Sequence, residues 1–125
     1  MFVEYLSAPF AGLNDTKQTI LSADLHVLVV NSIIVCNRTG QNIRFNLQKA
    51  RMQGEQPVTT FLLNELEVKP YSTVDAIKEI GFNVFLTFQQ NPSVIDNLVC
   101  YSNGLKQIFD CEVFYSQLNE TPSVI

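Results

Sequence analysis

The sequence feature that most constrains the fold is the apolar run Leu25 to Asn37, LHVLVVNSIIVCN. Apolar residues occupy both parities of this run, which is typical of a strand covered on both faces or of a buried helix. Its density of β-branched residues favours a strand, because valine and isoleucine lose side-chain freedom in a helix. Asn31 and Ser32 interrupt the run and indicate either a β-bulge or the point where the strand crosses between two sheets.

A second strand is predicted directly after this run. The turn residues Asn37 to Asn42 close the first strand, and both glycine and asparagine are able to take positive φ in such a turn. Asn42 to Met52 then alternates between apolar and polar residues. The inward residues are predicted to be Ile43, Phe45 and Leu47, and the outward ones Arg44, Asn46 and Gln48. Two strands joined by a short turn predict a β-hairpin.

The rest of the chain divides into short strand-like runs, separated by turn residues about every eight to twelve positions. The further predicted strands are Phe2 to Ala8, Thr16 to Ser22, Val58 to Leu63, Leu66 to Val68, Phe82 to Gln89, Val94 to Ser102 and Gln107 to Leu118. Ser72 to Ile80 fits either a two-turn helix capped by Ser72 or Thr73, or another strand. These runs predict an all-β fold, a single antiparallel β-sandwich of the jelly-roll or Ig-like kind.

The 125 residues have the length of one domain, so residues 1–125 are predicted to form a single β-sandwich domain. Pro9, Gly12, Asn14 and Asp15 cluster as loop residues, and residues 1–15 are therefore predicted to be an N-terminal arm. Residues 119–125 are predicted to be a C-terminal tail.

Charge and hydropathy exclude two kinds of partner. The net charge is −4, and the eight lysines and arginines are scattered, which disfavours the concentrated basic surface that nucleic-acid binding requires. No apolar run approaches the roughly 18 residues of a membrane span. The N-terminus lacks a basic region before its apolar residues, so we expect no secretory signal and synthesis in a cytoplasm.

Residues that could carry chemistry are sparse. His26 is the only histidine, and Cys36, Cys100 and Cys111 have no CxxC spacing, so they are predicted to be buried free thiols. The carboxylate pairs Glu65 with Glu67 and Asp110 with Glu112 each share a strand face, where acid–base or calcium chemistry competes with a plain solvated face. Most phenylalanines in strand runs are interpreted as core, among them Phe45, Phe61, Phe85, Phe88, Phe109 and Phe114. The sequence predicts no catalytic residue, no cofactor, no metal and no enzyme activity.

Three Asn-x-Thr triplets begin at Asn14, Asn37 and Asn119. Such triplets are glycosylation acceptors in secreted proteins, but asparagine is also a frequent turn residue because its side chain bonds to nearby backbone groups. Without a secretory signal, turn formation is the favoured interpretation.

Several stretches follow one another in a recognisable order: VLVVNSIIVCNRTGQNIRFNLQ, FLLNELEVKPYSTVDAI, NVFLTF and CEVFYSQL. With an I-x-V-x-N turn after the first strand and a strand–Pro–small–strand step at Val68 to Val74, this order resembles small β-sandwich virion proteins of tailed bacteriophages. The matching stretch runs from Leu25 to Leu118. The chain departs from that group at Ile80 to Asn83, where the group often carries a Gly-Asp step.

The resemblance implies a structural subunit without an active site, present in several copies in the virion at the capsid surface, the neck or the tail. Its implied partners are further copies of itself and other virion proteins. The low charge and high apolar content of the chain independently favour association through apolar surface. The terminal segments are predicted to reach neighbouring subunits, and the N-terminal anchors are predicted to be Phe2, Tyr5, Leu6, Phe10 and Leu13.

A different class of function is compatible with the same sequence. A β-sandwich can act as a recognition module that binds a glycan or a peptide through turns rich in asparagine, glutamine and tyrosine. This alternative also requires no catalytic group.

Overall fold

The computed structural model describes residues 2–54, 56–90 and 93–119, which form two five-stranded antiparallel sheets. Sheet I contains, in spatial order, β1 (Phe2–Leu13), β10 (Phe109–Asn119), β3 (Val27–Cys36) and β6 (Thr73–Asp75), with β7 (Val84–Leu86) also paired to β3. Sheet II contains β2 (Gln18–Ser22), β9 (Val94–Ser102), β4 (Ile43–Gln53) and β5 (Gln56–Val68), with β8 (Phe88–Gln89) also paired to β9. The helix α1 (Ala76–Ile80) follows β6. The predicted all-β sandwich is confirmed.

The core lies between the inner faces of the two sheets. Ile33 and Val113 of sheet I and Phe45 of sheet II are fully buried there. Phe45 meets Phe109 edge to face, with ring centroids 5.4 Å apart. Edge-to-face packing of this kind adds about 0.5–1.5 kcal/mol beyond the burial of the two rings, and here it joins sheet I to sheet II.

The interruption at Asn31 and Ser32 in β3 is a β-bulge, the first of the two interpretations that the sequence allowed. Ser32 pairs with Phe114 and Val30 pairs with Tyr115, so Asn31 is the extra residue on β3. The bulge reverses the alternation: Leu28 and Val30 point inward before it, and Ile33 and Val35 point inward after it. Uninterrupted alternation would have placed Val27 and Val29 on one face with Ile33 and Val35, and the inserted residue exchanges the two faces.

The predicted hairpin of β3 and β4 was also wrong. Strand β3 pairs with β10, β6 and β7 in sheet I, whereas β4 pairs with β5 and β9 in sheet II. The segment between Cys36 and Ile43 carries the chain from one sheet to the other. The alternation of apolar and polar residues predicts which face of a strand points inward. It does not predict whether the next strand in sequence pairs with it in the same sheet or lies in the opposite sheet.

Asn37 stabilises this crossover from a fully buried position. Its amide nitrogen donates hydrogen bonds to the carbonyl oxygens of Gln41, Val68 and Lys69 at 2.7, 3.0 and 3.1 Å, and its amide oxygen accepts from Thr39. A side chain that is buried and bonded in this way has no room for a glycan. At this triplet, turn formation is confirmed.

The interval predicted to be an N-terminal arm holds the edge strand β1, which pairs with β10 from Phe2 to Leu13. The loop predicted from Pro9 onward therefore begins only after Leu13. Proline is compatible with an edge strand, because a missing N–H on the outer side breaks no ladder bond. The register shifts near Gly12, which has φ +68° and donates a backbone hydrogen bond to Asp110. Of the predicted C-terminal tail, residues 120–125 lie outside the described residues.

Three segments have different helix and strand boundaries in the structure from those predicted. The segment Ser72 to Ile80 is both a strand and a helix, and Asp75 is the N-cap of α1 and accepts from the backbone N–H of Ile77. The single strand predicted over Phe82 to Gln89 is two strands, because β7 belongs to sheet I and β8 to sheet II. Conversely, the two strands predicted around Asn64 and Glu65 are one strand, β5, with Glu65 at φ +58°.

Candidate assembly surface

The outer face of sheet I presents a row of side chains that runs across four strands. Tyr5 of β1 pairs with Ser116 of β10, Ser116 with Val29 of β3, and Val29 with Phe85 of β7. The aromatic residues at the two ends are strongly exposed, at 81% for Tyr5 and 55% for Phe85. Because residues paired across a sheet lie on the same face, these four side chains form one continuous strip.

Two neighbouring rows extend this strip. On one side Val3 pairs with Leu118, and Leu118 with Val27. On the other side Ser7 pairs with Phe114, and Phe114 with Ser32. We call the three rows together the sheet I surface, and none of their residues is charged: Val3, Tyr5, Ser7, Val27, Val29, Ser32, Phe85, Phe114, Ser116 and Leu118.

Part of the outer face of sheet II is polar instead, although Phe61 of β5, which pairs with Gln48, is exposed on the same face. Asn46 and Gln48 point outward as predicted, yet both are buried. The amide of Asn46 donates to Asn103 at 2.7 Å and accepts from the backbone N–H of Glu65 at 2.9 Å, and Gln48 donates to the hydroxyl of Tyr101 at 2.8 Å. The ammonium of Lys17 lies 5.4 Å from the centre of the Tyr101 ring. On this face, polar groups are covered by one another and satisfied within the chain.

An ion pair between the partly exposed Arg51 and the buried Asp96 joins β4 and β9 at one end of sheet II. Asp96 is fully buried and accepts from the guanidinium of Arg51 at 2.8 Å and from the backbone N–H of Thr87 at 2.9 Å. Burial alone raises the pKa of Asp96, but the hydrogen bonds from Arg51 and Thr87 and the charge of Arg51 outweigh it. The pKa of Asp96 is therefore lowered, and the pair is ionised at neutral pH.

The five predicted assembly contacts lie together on β1 but point in two directions. Tyr5 belongs to the sheet I surface, and Phe2 is half exposed. Phe10 and Leu13 pack against the hydrophobic core, and Leu6, which pairs with Tyr115, is partly buried on the same side. Whether any of the five touches a second copy stays a prediction.

Phe61, Phe85 and Phe114 were interpreted as core residues in the sequence, and the structure exposes all three. The signal that could have identified Phe85 is its parity: it alternates with Val84 and Leu86, which are buried. A strand with apolar residues on both faces marks either a fully covered strand or a face kept for a partner.

The residues considered for chemistry do not come together. No group of three or more histidine, cysteine, aspartate or glutamate side chains within the described residues could hold a metal ion. Asp110 is paired with Arg38 at 2.7 Å. The cysteines are free thiols, with Cys100 and Cys111 buried. Hydrogen bonding with Cys111, together with burial, raises the pKa of Cys100, which keeps this thiol protonated and weakly nucleophilic.

The search for membrane-spanning helices covered the described residues and found none of sufficient length and apolarity.

No family model matches the sequence, and no curated protein matches it. Solved structures of similar fold include the following two. One is the structure of infectious bursal disease virus, Gx strain, with a TM-score of 0.52 and 9% sequence identity over 98% of this chain and 35% of the viral chain. The other is the structure of T=1 particles derived from infectious bursal virus, with a TM-score of 0.52 and 9% identity over 97% of this chain and 40% of that chain.

The chain thus spans about two fifths or less of the chains it resembles. At 9% identity, this similarity is one of fold. It agrees with the two-sheet sandwich described above, and it adds no matching residues to the candidate surface.

Proposed function

We propose that the protein is a non-enzymatic structural subunit of a virus particle, present in multiple copies that associate through the sheet I surface. The observation that carries the proposal is the uncharged strip from Tyr5 to Phe85 on the outer face of sheet I, with an exposed aromatic side chain at each end. Two solved structures of similar fold, of infectious bursal disease virus and of particles derived from it, support a particle role. The implied location is the virion.

The size of the sheet I surface supports association between subunits. At about 200 Å² for a fully exposed aromatic side chain, Tyr5, Phe85 and Phe114 together offer roughly 350 Å² of surface at their observed exposure. One partner of a standard interface buries about 800 Å². Val3 and the partly exposed side chains of the flanking rows enlarge the apolar area toward that size.

Charge supports a second copy as the partner of this surface. Each copy carries a net charge of −4, so contact between acidic faces would be repulsive. The sheet I surface contains no charged residue, and two copies can bring it together without opposing like charges. Tyr5 is the predicted assembly contact that lies on this surface, and Phe2 is adjacent to it at the end of β1.

A finer assignment follows from the motif order described above. The chain resembles β-sandwich virion proteins of tailed bacteriophages, and we propose that it is one domain over residues 1–125 at the capsid surface, the neck or the tail of such a virion. The two structural neighbours concern infectious bursal disease virus, and the phage assignment therefore depends on the motif resemblance alone.

The self-association test uses charge on the sheet I surface. A Tyr5→Lys/Phe85→Lys double variant places two cations on each strip, and we expect the dissociation constant measured by sedimentation equilibrium to rise by at least about tenfold, or ~1.4 kcal/mol. The control is Leu105→Lys, which alters an exposed apolar residue away from the sheet I surface, in the turn before β10. A wild-type protein that stays monomeric at high concentration would contradict the proposal.

The particle assignment has its own test. Gold-labelled antibodies against the protein, applied to virions purified from the source, should mark one location on intact particles. Absence of label from every particle, with the protein recovered only in the unassembled fraction, would overturn the assignment to a virion.

A further inference from the structure

Strand β5 ends sheet II and leaves a free backbone edge. In the described part of the chain, β4 is the strand that pairs with β5, from Gln53–Gln56 at the hairpin tip to Ile43–Val68 at its base. The opposite side of β5 therefore presents backbone N–H and C=O groups that have no ladder partner. Such an edge is a template for pairing with another extended chain.

The first half of β5 is also exposed on both faces. Every residue from Gln56 to Phe61 is exposed, and Val58 and Phe61 each retain 57% of their accessible surface. Val58 and Phe61 differ in parity, so one apolar side chain lies on each face of the hairpin. This part of the β4–β5 hairpin gains little cover from the sandwich.

The sequence of β5 has few of the features that ordinarily prevent an edge strand from pairing with another chain. Nine consecutive residues, Gln56 to Asn64, carry no charge, and they include Val58, Thr59, Thr60 and Phe61, all of high β-propensity. Edge strands are ordinarily protected from pairing by lysine, by inward charges or by proline along the strand. Here Pro57 stands at the beginning of the run.

The other long edge strand is protected in this way. Strand β1 carries Glu4 near one end and Pro9 in its centre, and its register is irregular at Gly12. These features interrupt any continuous ladder along its free side. The difference between β1 and β5 indicates which edge can accept another strand.

We propose that β5 pairs antiparallel with β5 of a second copy, about a two-fold axis at Thr60, so that the two β2–β9–β4–β5 sheets become one continuous sheet. The inference deepens the proposed function and rests on its premise that copies of this chain associate. It assigns a second contact, distinct from the sheet I surface. An antiparallel pair of identical strands is closed by a two-fold axis, which yields a dimer rather than a fibre.

The register follows from the uncharged run. Thr60 is the central residue of Gln56 to Asn64, and a two-fold axis there places all nine uncharged residues opposite uncharged residues of the other copy. Thr60 then faces its own counterpart, Phe61 faces Thr59, and Val58 faces Leu62. Thr–Thr and aromatic–β-branched pairs are favourable cross-strand combinations, each worth about 0.2–1 kcal/mol.

The test is site-specific cross-linking. A Thr60→Cys variant is incubated with oxidised glutathione, which is reduced as two thiols form one disulfide between copies. Opposed residues in an antiparallel ladder have Cα atoms about 4.5–5.5 Å apart, which is within the range of a disulfide. We expect a covalent dimer on a non-reducing gel from Thr60→Cys, and none from the wild-type protein with its own cysteines.

A matched pair of variants tests the register. Val58→Cys by itself has no thiol opposite it and should stay monomeric, whereas mixing Val58→Cys with Leu62→Cys should give a covalent heterodimer. Equal cross-linking of Thr60→Cys and Val58→Cys would overturn the two-fold axis at Thr60. Fibres that bind thioflavin would overturn the closed dimer in favour of open-ended pairing.

The same reagent separates this inference from the proposed function. For this purpose Thr60→Cys is added to the Tyr5→Lys/Phe85→Lys variant. If the combined variant still forms the cross-link but no longer builds larger assemblies, both contacts are present and independent. If Thr60→Cys gives no cross-link while the wild-type protein still assembles, β5 pairing is wrong and the sheet I surface stands. Adding Phe61→Lys to the Thr60→Cys variant should reduce the cross-linked fraction by about tenfold, because it places a cation in the uncharged run.

Discussion

The outer faces of the two sheets differ in how they meet solvent. On sheet II, Asn46 and Gln48 are outward-facing but buried, and their amides are bonded to neighbours in the same sheet and loop. On sheet I, Tyr5 and Phe85 are outward-facing and exposed, and the strip between them offers few polar groups. The polar groups around Asn46 and Gln48 are satisfied within the chain, whereas the strip on sheet I leaves apolar surface in water.

The polar network of sheet II is expected to contribute to folding, and the exposed strip of sheet I to association between copies. A buried polar network costs stability when any member is removed, because its partners are then left without hydrogen bonds in a dry site. An exposed apolar side chain contributes little to folding of the single chain but much to association. Substitutions on sheet II should therefore change the free energy of unfolding, and substitutions on the sheet I surface should change the dissociation constant.

The largest effect is expected for Asp96→Ala at the end of sheet II. Its carboxylate accepts from Arg51 and from both the backbone N–H and the hydroxyl of Thr87. Removing a charged acceptor at a fully buried position should lower the free energy of unfolding by roughly 3 kcal/mol. The loss is not larger because Arg51 is partly exposed and regains some hydration. Urea denaturation followed by circular dichroism measures the change.

Asp110→Ala is the matched control for Asp96→Ala. Asp110 also pairs with an arginine, Arg38, but the arginine side chain is 70% exposed. Exposed pairs are typically worth less than about 1 kcal/mol. Equal losses from the two variants would show that burial does not distinguish these ion pairs.

The pH dependence of stability tests the same carboxylate. Because the pKa of Asp96 is lowered in the folded chain, its contribution is present above its unfolded pKa of about 4 and is lost as the pH falls through the lower folded value. Unfolding free energies measured between about pH 6 and pH 2 should fall more steeply for the wild-type protein than for Asp96→Asn. Parallel curves would mean that other carboxylates cause the acid sensitivity.

A direct comparison of the two faces uses Asn46→Ala and Phe85→Ser. Asn46 accepts from the backbone N–H of Glu65, whose positive φ marks the bulge in β5, so its loss should cost about 2 kcal/mol. Phe85→Ser removes a much larger side chain from an exposed site, yet it should change the unfolding free energy of the monomer by less than about 0.5 kcal/mol. The reverse order would remove the distinction between the faces.

Local patterns predicted much of this fold because the residues that encode it are adjacent. The β-branched run identified β3, and strict alternation identified the inner face of β4. The Asn31–Ser32 interruption located an irregularity in β3 but did not decide between a bulge and a crossing between sheets. The partner of β3 could not be predicted in this way. Its neighbour β10 lies about 80 residues away in sequence, and pairing at that distance depends on how the two sheets pack.

Local patterns indicated only single residues of the sheet I surface. Tyr5 was predicted to be an aromatic anchor in a terminal segment; the structure exposes it, and its contact with a second copy stays a prediction. Phe85 was assigned to the core by its hydrophobicity, although its parity opposed that of Val84 and Leu86. The strip itself is formed by strands from both ends and the middle of the chain, and no local pattern contains all of them.

The smallest expected effect concerns two tyrosine hydroxyls. Tyr101→Phe removes the acceptor for the buried Gln48 amide on sheet II, and should cost about 1 kcal/mol. Tyr5→Phe removes a hydroxyl that is exposed on sheet I, and should leave the unfolding free energy unchanged within about 0.3 kcal/mol, since water solvates that group before and after folding. Thermal denaturation of both variants at low protein concentration measures the difference. If the two losses were equal, the network on sheet II would contribute no more to folding than the exposed strip does.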